Sequence, residues 1–171
     1  MQTRFVTTLV FIIALATPAL GEPASFQRLG DLPGGAFLSR AHAVSSDGVV
    51  VGTSRSERNV EAFRWEAASG MVGLGDLEGG TFLSEAFAVS ADGTVVVGRG
   101  STSVGSEAFR WQGAFAGLGD LAGGSFSSRG FAVSSDGLVV AGTGRAGTGF
   151  EAFVWQEGVG MVGLGDLPGG T

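Results

Sequence analysis

The tetrapeptide Leu-Gly-Asp-Leu occurs four times, at Leu29–Leu32, Leu74–Leu77, Leu118–Leu121 and Leu164–Leu167, with offsets of 45, 44 and 46 residues. A second marker, Ala-Val-Ser-x-Asp-Gly, ends at Gly48, Gly93 and Gly137, and a third, Glu-Ala-Phe-x-Trp, begins at Glu61, Glu107 and Glu151. All three keep the same order. A repeat of this length is one supersecondary unit that cannot bury its own apolar face, so each unit must stack on a neighbour. The chain is therefore read as an array of three such units plus part of a fourth.

Each unit reads as β structure. Val49–Gly52, Val95–Gly98 and Val139–Gly142 are short runs rich in β-branched Val and bounded by Gly, which suits strands buried on both faces. Ser-x-Asp-Gly before each run is a hairpin signal, because Gly accepts a positive φ and Asp tolerates one. The strand before that turn alternates small and bulky residues. Ala41, Ala43 and Ser45 share one face and His42 and Val44 the other; Ala86, Ala88 and Ser90 oppose Phe87 and Val89; Gly130, Ala132 and Ser134 oppose Phe131 and Val133. The small face suits close approach to a neighbour. Phe63 with Trp65, Phe109 with Trp111 and Phe153 with Trp155 share faces and are expected to form the bulk of the core. Val72 and Leu74, with their counterparts, make a fourth strand. The Gly pairs at Gly34–Gly35, Gly79–Gly80 and Gly123–Gly124 are read as turns into the next unit.

Four short strands per unit of roughly 45 residues is the signature of a β-propeller blade. The expected fold is thus all-β, a propeller-like array of four-stranded repeats, incomplete or open. Propellers close with about four to eight blades. Three units and one surplus strand fall short, so the chain is expected to be the front part of a longer repeat protein, with open sheet edges that favour self-association.

Composition narrows the function classes. There are 32 Gly among 171 residues but only 4 Pro, and Gly does not recur at every third position, which excludes collagen. All ten basic residues are Arg, and Cys is absent, so disulfides, thiolate metal sites and a cysteine nucleophile are excluded. A net charge of −6 argues against nucleic-acid binding. At the N-terminus Arg4 precedes an apolar stretch, Phe5–Ala16, followed by Pro18, Ala19 and Gly21. This is the pattern of a cleaved signal peptide over residues 1–21, and its apolar stretch, even extended to Leu20, is sixteen residues, short of the roughly 20 of a membrane span. Residues 22–171 then form the repeat region, outside the cytoplasm and without a stable membrane span.

The markers resemble the HAF extracellular-repeat family of bacterial secreted and surface proteins. The matching residues are Gly-Leu-Gly-Asp-Leu-x-Gly-Gly (Gly73–Gly80), Ala-Phe-Ala-Val-Ser-Ala-Asp-Gly (Ala86–Gly93), Val-Val-Val-Gly (Val95–Gly98) and Glu-Ala-Phe-Arg-Trp (Glu107–Trp111). The resemblance covers residues 26–171. It implies an extracytoplasmic, propeller-like repeat protein and assigns no catalysis.

Residues that recur once per unit are expected to be architectural. Asp47, Asp92 and Asp136 share one hairpin turn, and Asp31, Asp76, Asp120 and Asp166 share the Leu-Gly-Asp-Leu corner. Short Asp side chains bond nearby backbone N–H groups in turns. Calcium takes six to eight oxygens, which an isolated Asp among Gly, Ser and Leu does not supply. Glu61, Glu107 and Glu151 are read as rim carboxylates bonded to backbone donors, the alternative being an acidic ring that converges on a channel. His42, the single His, stands where Phe87 and Phe131 stand in later units, a packing position. Residues that depart from the repeat are Arg55, Glu57, Arg58 and Asn59, with Arg99 and Arg145. They follow the Val strand, where a binding surface would evolve.

No catalytic, cofactor-binding or metal-binding residue is assigned. The expected function is a secreted or surface extracellular repeat module that binds or scaffolds an extracellular ligand or surface component, without catalytic activity. The alternative is a fragment of a propeller hydrolase or lyase whose catalytic residues lie partly in missing blades, with Glu61, Glu107 and Glu151 lining the channel.

Overall fold

The computed structural model describes residues 26–167. The expected signal peptide, residues 1–21, lies outside them. The described chain forms twelve strands and no helix. They are β1 (Gly34–Val44), β2 (Val50–Ser56), β3 (Asn59–Glu66), β4 (Gly70–Gly75), β5 (Gly79–Val89), β6 (Val96–Thr102), β7 (Gly105–Trp111), β8 (Phe115–Gly117), β9 (Gly123–Val133), β10 (Val139–Ala146), β11 (Gly149–Gln156) and β12 (Gly160–Gly163).

Consecutive strands pair antiparallel within each group of four, which gives three similar sheets, or blades. Neighbouring blades touch through single parallel bridges, Val60 with Leu83 and Ser106 with Ser127. Blade 1 and blade 3 are not paired with each other among the described residues. The fold is an open, propeller-like array of three four-stranded repeats.

The core lies between blades. Val49, Val51 and Ala62 of blade 1 meet Ala86, Val96 and Phe109 of blade 2. One repeat on, Val95, Val97 and Ala108 meet Val140 and Phe153. The back of blade 1, with Phe63 and Trp65, is covered by Leu29 and Leu32 from the first Leu-Gly-Asp-Leu corner. Phe63, Phe109 and Phe153 are fully buried, as the shared aromatic face requires. Trp65 is buried beside Phe63, whereas Trp111 and Trp155 are only half-buried, so in blades 2 and 3 the Phe rather than the Trp anchors the core.

Three expectations are corrected. The Gly-Gly pairs do not turn the chain; they open eleven-residue first strands that run on to Val44, Val89 and Val133. The Gly after each Val run does not end its strand either, because β2, β6 and β10 continue to Ser56, Thr102 and Ala146. The reason lies across the pair. A bulge in each first strand brings the carbonyls of Arg40, Glu85 and Arg129 to 1.9, 1.8 and 1.9 Å from where a Cβ on Gly52, Gly98 or Gly142 would sit. Only glycine fits there. The same bulge breaks the expected alternation, since Ala41 pairs with Gly52 and Ala43 with Val51, leaving His42 as the extra residue. Phe87 and Phe131 are the extra residues of β5 and β9.

The Ser-x-Asp-Gly turns form with positive φ at Gly48, Gly93 and Gly137 of 81°, 69° and 75°. The Asp of each turn keeps a negative φ, so Gly alone supplies the left-handed residue. Successive turns are joined across blades: Ser46 N–H donates to Ala91 O, and Ala91 N–H to Ser135 O, both at 3.1 Å.

Blade 2 is packed between two blades, whereas blade 1 has a blade on one face and only the Leu29–Leu32 corner on the other, and blade 3 has a blade on one face. Hydrogen exchange is therefore expected to be slowest in β6 and β7 and fastest in β1 and β12. Uniform protection across the three blades would contradict this packing order.

Candidate functional site

Glu61, Glu107 and Glu151 lie on the third strands, and each carboxylate is bound within its own blade. Oε1 accepts from the backbone N–H of Gly75, Gly119 and Gly165 at 3.0, 2.9 and 2.6 Å. The Gly two residues before each donor makes room. A Cβ on Gly73, Gly117 or Gly163 would lie 2.3 Å from the same Oε1. Each Glu and its Gly are thus one device that fixes the fourth strand to the third.

The corner aspartates act between strands. Asp76 accepts from Leu83 N–H at 2.6 Å, Leu77 N–H at 2.8 Å and Ser101 N–H at 3.4 Å. Asp120 repeats this with Ser127 and Arg145, and Asp31 with Leu38 and Leu32. Burial holds the Asp76 carboxyl above its usual range, outweighing those three donors, and the nearby Glu61 adds to the rise. The turn aspartates behave oppositely. The Ser90 hydroxyl donates to Asp92 Oδ1 at 2.6 Å, and Thr94 adds its N–H and hydroxyl, which holds the Asp92 carboxyl below its usual range. Ser134 and Leu138 do the same for Asp136. Among the described residues no group of three His, Cys, Asp or Glu side chains is placed to hold a metal ion.

His42 is exposed, and its ring stacks at 5.7 Å on Phe87, which stacks at 5.4 Å on Phe131. Its Nδ1 lies 2.7 Å from Ala86 O. The bulge in each first strand therefore projects one ring, and the three rings form a ladder across the blades. This is a packing role with an exposed edge.

The residues that depart from the repeat gather elsewhere, on the rim made by the hairpins between second and third strands. Arg55–Asn59 is the first hairpin, Val104 stands on the second, and Arg145 and Phe150 flank the third. Arg58 lies over the Phe82 ring at 4.9 Å and Arg145 over Phe150 at 5.5 Å. Asn59 has φ 138°, the one positive value outside Gly among the described residues, where the later repeats have Gly105 and Gly149. Its Nδ2 donates to Phe82 O at 3.2 Å, so a side chain is kept where Gly would sit without strain. Beside it runs an open groove of about 410 Å³, lined by Pro33, Gly34, Ser56, Glu57, Arg58 and Glu61. Arg99 is not part of this rim; it pairs with Glu85 across β5 and β6. Phe82 was hidden in sequence because its segment reads as a linker after Gly79–Gly80.

No family model matches the chain, and no curated protein matches it. Two solved structures are similar. A TolB-type protein from Agrobacterium tumefaciens superimposes with a TM-score of 0.58 at 16% identity over 77% of this chain, and TolB from Acinetobacter baumannii with a TM-score of 0.56 at 20% identity over 73%. This chain spans 50% of the first and 32% of the second. Both are β-propellers, which agrees with the three blades seen here.

Two outcomes test the structural roles given to the acids. Glu107→Ala is expected to cost about 1–3 kcal/mol, since it leaves the Gly119 N–H without its acceptor. Gly117→Ala is expected to cost a similar amount through the clash, and the double variant less than the sum, measured by urea unfolding. The turn aspartates give an acid limb. A carboxyl held low in the folded state contributes stability above its unfolded value, near pH 4, and that contribution is lost as pH falls further. Thermal melts from pH 6 to pH 2.5 should show a shallower acid-side fall for Asp92→Asn than for the native chain; an unchanged slope would remove this role.

Proposed function

We propose that the chain is a secreted or surface-exposed repeat module, of the HAF type, that binds or scaffolds an extracellular ligand or surface component through its hairpin rim and has no catalytic activity of its own. One observation carries this reading. The recurring carboxylates are committed to backbone donors, whereas Arg55, Glu57, Arg58 and Asn59, which differ between repeats, and Arg145 lie along one rim, with the strained Asn59 among them. Strained backbone persists where surrounding structure holds it, often at functional positions. Loops presented by a rigid scaffold are also where recognition residues accumulate.

Location outside the cytoplasm is supported by the signal pattern over residues 1–21 and by the residues that resemble HAF repeats. The rim supplies guanidinium groups over aromatic rings, exposed Val104 and Phe150, and a groove with both charges present. Such a mixture suits polar ligands with apolar faces, glycans among them, better than a polyanion.

The exported chain, recovered with Glu22 first, is tested on arrayed glycans and on cell-envelope polysaccharide. Binding is expected, and Arg58→Ala and Asn59→Gly should each weaken it about tenfold with the fold intact. Binding that ignores both substitutions, or turnover of a glycoside or ester abolished by one substitution, overturns the reading.

A further inference from the structure

One pair of facing positions on the first and second strands is filled differently in blade 1 and blade 2. In blade 2, Glu85 of β5 stands opposite Arg99 of β6, and the two form an ion pair. In blade 1 the same positions are Arg40 of β1 and Thr53 of β2. The acid is replaced by a base, and the base by a hydroxyl. Arg55 lies two residues beyond Thr53 on β2, so it projects on the same face, and its cross-strand partner on β3 is Val60. Among the described residues neither Arg40 nor Arg55 is paired with a carboxylate. Thr53 is 6% exposed, and its Oγ1 is buried without a hydrogen-bond partner. Leaving a buried hydroxyl unpaired is unfavourable, so such an atom marks a place that accommodates a polar partner.

Thr53 forms the floor of a cavity of about 220 Å³ between blade 1 and β5 of blade 2. Arg40, Arg55 and His42 stand exposed at its mouth, and Leu38 and Val60 give it apolar sides. Glu85 also reaches it, but Arg99 already balances that charge. The cavity thus carries two guanidinium groups without a counter-charge, in a chain of net charge −6. His42 Nδ1 faces Ala86 O at 2.7 Å. A carbonyl only accepts, so Nδ1 carries the hydrogen, and Nε2 of the neutral ring is an acceptor.

We infer that this cavity binds the carboxylate of an acidic sugar, a uronate residue. Guanidinium forks match the two oxygens of a carboxylate, so Arg40 and Arg55 hold the charge while the Thr53 hydroxyl donates to the same group from below. The acceptor on His42 suits a ring hydroxyl of the ligand, a donor that inorganic sulfate lacks. The volume lies below the roughly 300–1,000 Å³ of sites for drug-sized ligands, so the cavity takes one sugar residue and not a stretch of chain. It shares Arg55 with the first rim hairpin, so a glycan lying along the rim places an acidic residue there. That the ligand is part of a glycan rests on the reading of the rim given above; the carboxylate site rests on the cavity alone.

Calorimetric titration of the exported chain with sodium glucuronate and sodium galacturonate should show binding. Glucose and galactose, which lack the carboxylate, and sodium sulfate at equal ionic strength should bind at least about tenfold more weakly. Arg40→Ala and Arg55→Ala should each weaken uronate binding about tenfold, and so should Thr53→Val. Uronate binding unchanged by Thr53→Val, with a raised melting temperature, would reduce the hydroxyl to an unpaired core group and overturns the inference. Arg40→Glu combined with Thr53→Arg copies the blade 2 ion pair into blade 1 and should abolish binding with native melting; where a single variant does not fold, this pair decides. Failure of both uronates to bind, or sulfate binding as tightly as they do, also overturns it. A trigalacturonide should bind at least as tightly as the single sugar, and binding of the free sugar alone overturns the link to a chain. Arg58→Ala and Asn59→Gly lie outside the cavity and should leave single-sugar binding unchanged, so loss of the carboxylate site and loss of rim binding are read apart.

Discussion

Sheet-on-sheet contact between consecutive blades is the interaction on which everything else depends. A lone four-stranded repeat has no second layer, and its Val and Phe side chains would face water. Setting Val49, Val51 and Ala62 against Ala86, Val96 and Phe109 removes those side chains from solvent together. Fully burying one Val or Phe is worth about 1.5–3 kcal/mol, whereas a single backbone hydrogen bond nets about 1 kcal/mol. The apolar contact therefore supplies most of the driving force. It is not directional, however, and would tolerate sliding of one sheet over the next. The corner and turn groups supply the direction. Asp76 ties Leu83 of β5 to the Leu74–Leu77 corner, and Ser84 ties Ala62 across the junction, so each blade is set in register before the next begins.

That division of labour explains which residues repeat and which do not. Gly52, Gly98 and Gly142 recur because a carbonyl crosses them, and Gly73, Gly117 and Gly163 recur because a carboxylate does. The high Gly content is a consequence of close approaches rather than of flexibility. Arg64 and Arg110 donate from Nε to Gly93 O and Gly137 O of the following blade, at 3.2 and 3.1 Å. The third copy has Val154 at that position, so this bridge belongs to the internal junctions alone. The hairpin tips are held as well, since a Cβ on Gly105 would lie 2.1 Å from Phe126 O, but the residues on and beside them, Arg58, Val104 and Phe150, still differ between repeats.

Much of this was legible in the sequence. Markers at a constant spacing gave the unit, the hairpin signals gave its strands, and the shared Phe positions gave its core. The recurring Asp and Glu were legible as backbone acceptors because three copies of the same residue argue for a structural need. The bulges were not legible. Ala41 and Ala43 are both small, so the bulged residue between them, His42, leaves the period-two pattern looking intact although their partners Gly52 and Val51 are adjacent. Nor was the length of the first strands, since Gly-Gly followed by Ala or Thr carries a turn signal while the pairing to Ser56 or Thr102 is made across the sheet. Asn59 stands out only when set beside Gly105 and Gly149 with the backbone angles known.

His42 shows how one architectural device admits a new chemistry. The bulge lifts one residue out of the ladder in each first strand, and in two of three blades that residue is Phe. Substituting His keeps the ring in the stack on Phe87 while adding a donor that reaches Ala86 O. The hydrogen bond crosses from blade 1 to blade 2 on the face that the Phe rings bridge by contact alone. Packing therefore fixes the shape demanded at the bulge, a flat ring, and leaves its polarity open. Polarity can change most easily where the ring edge meets solvent, and His42 sits in the blade whose first strand is the most exposed of the three. The same relation, shape set by stacking and chemistry free at the solvent edge, holds for the Arg-on-Phe contacts of the hairpin rim.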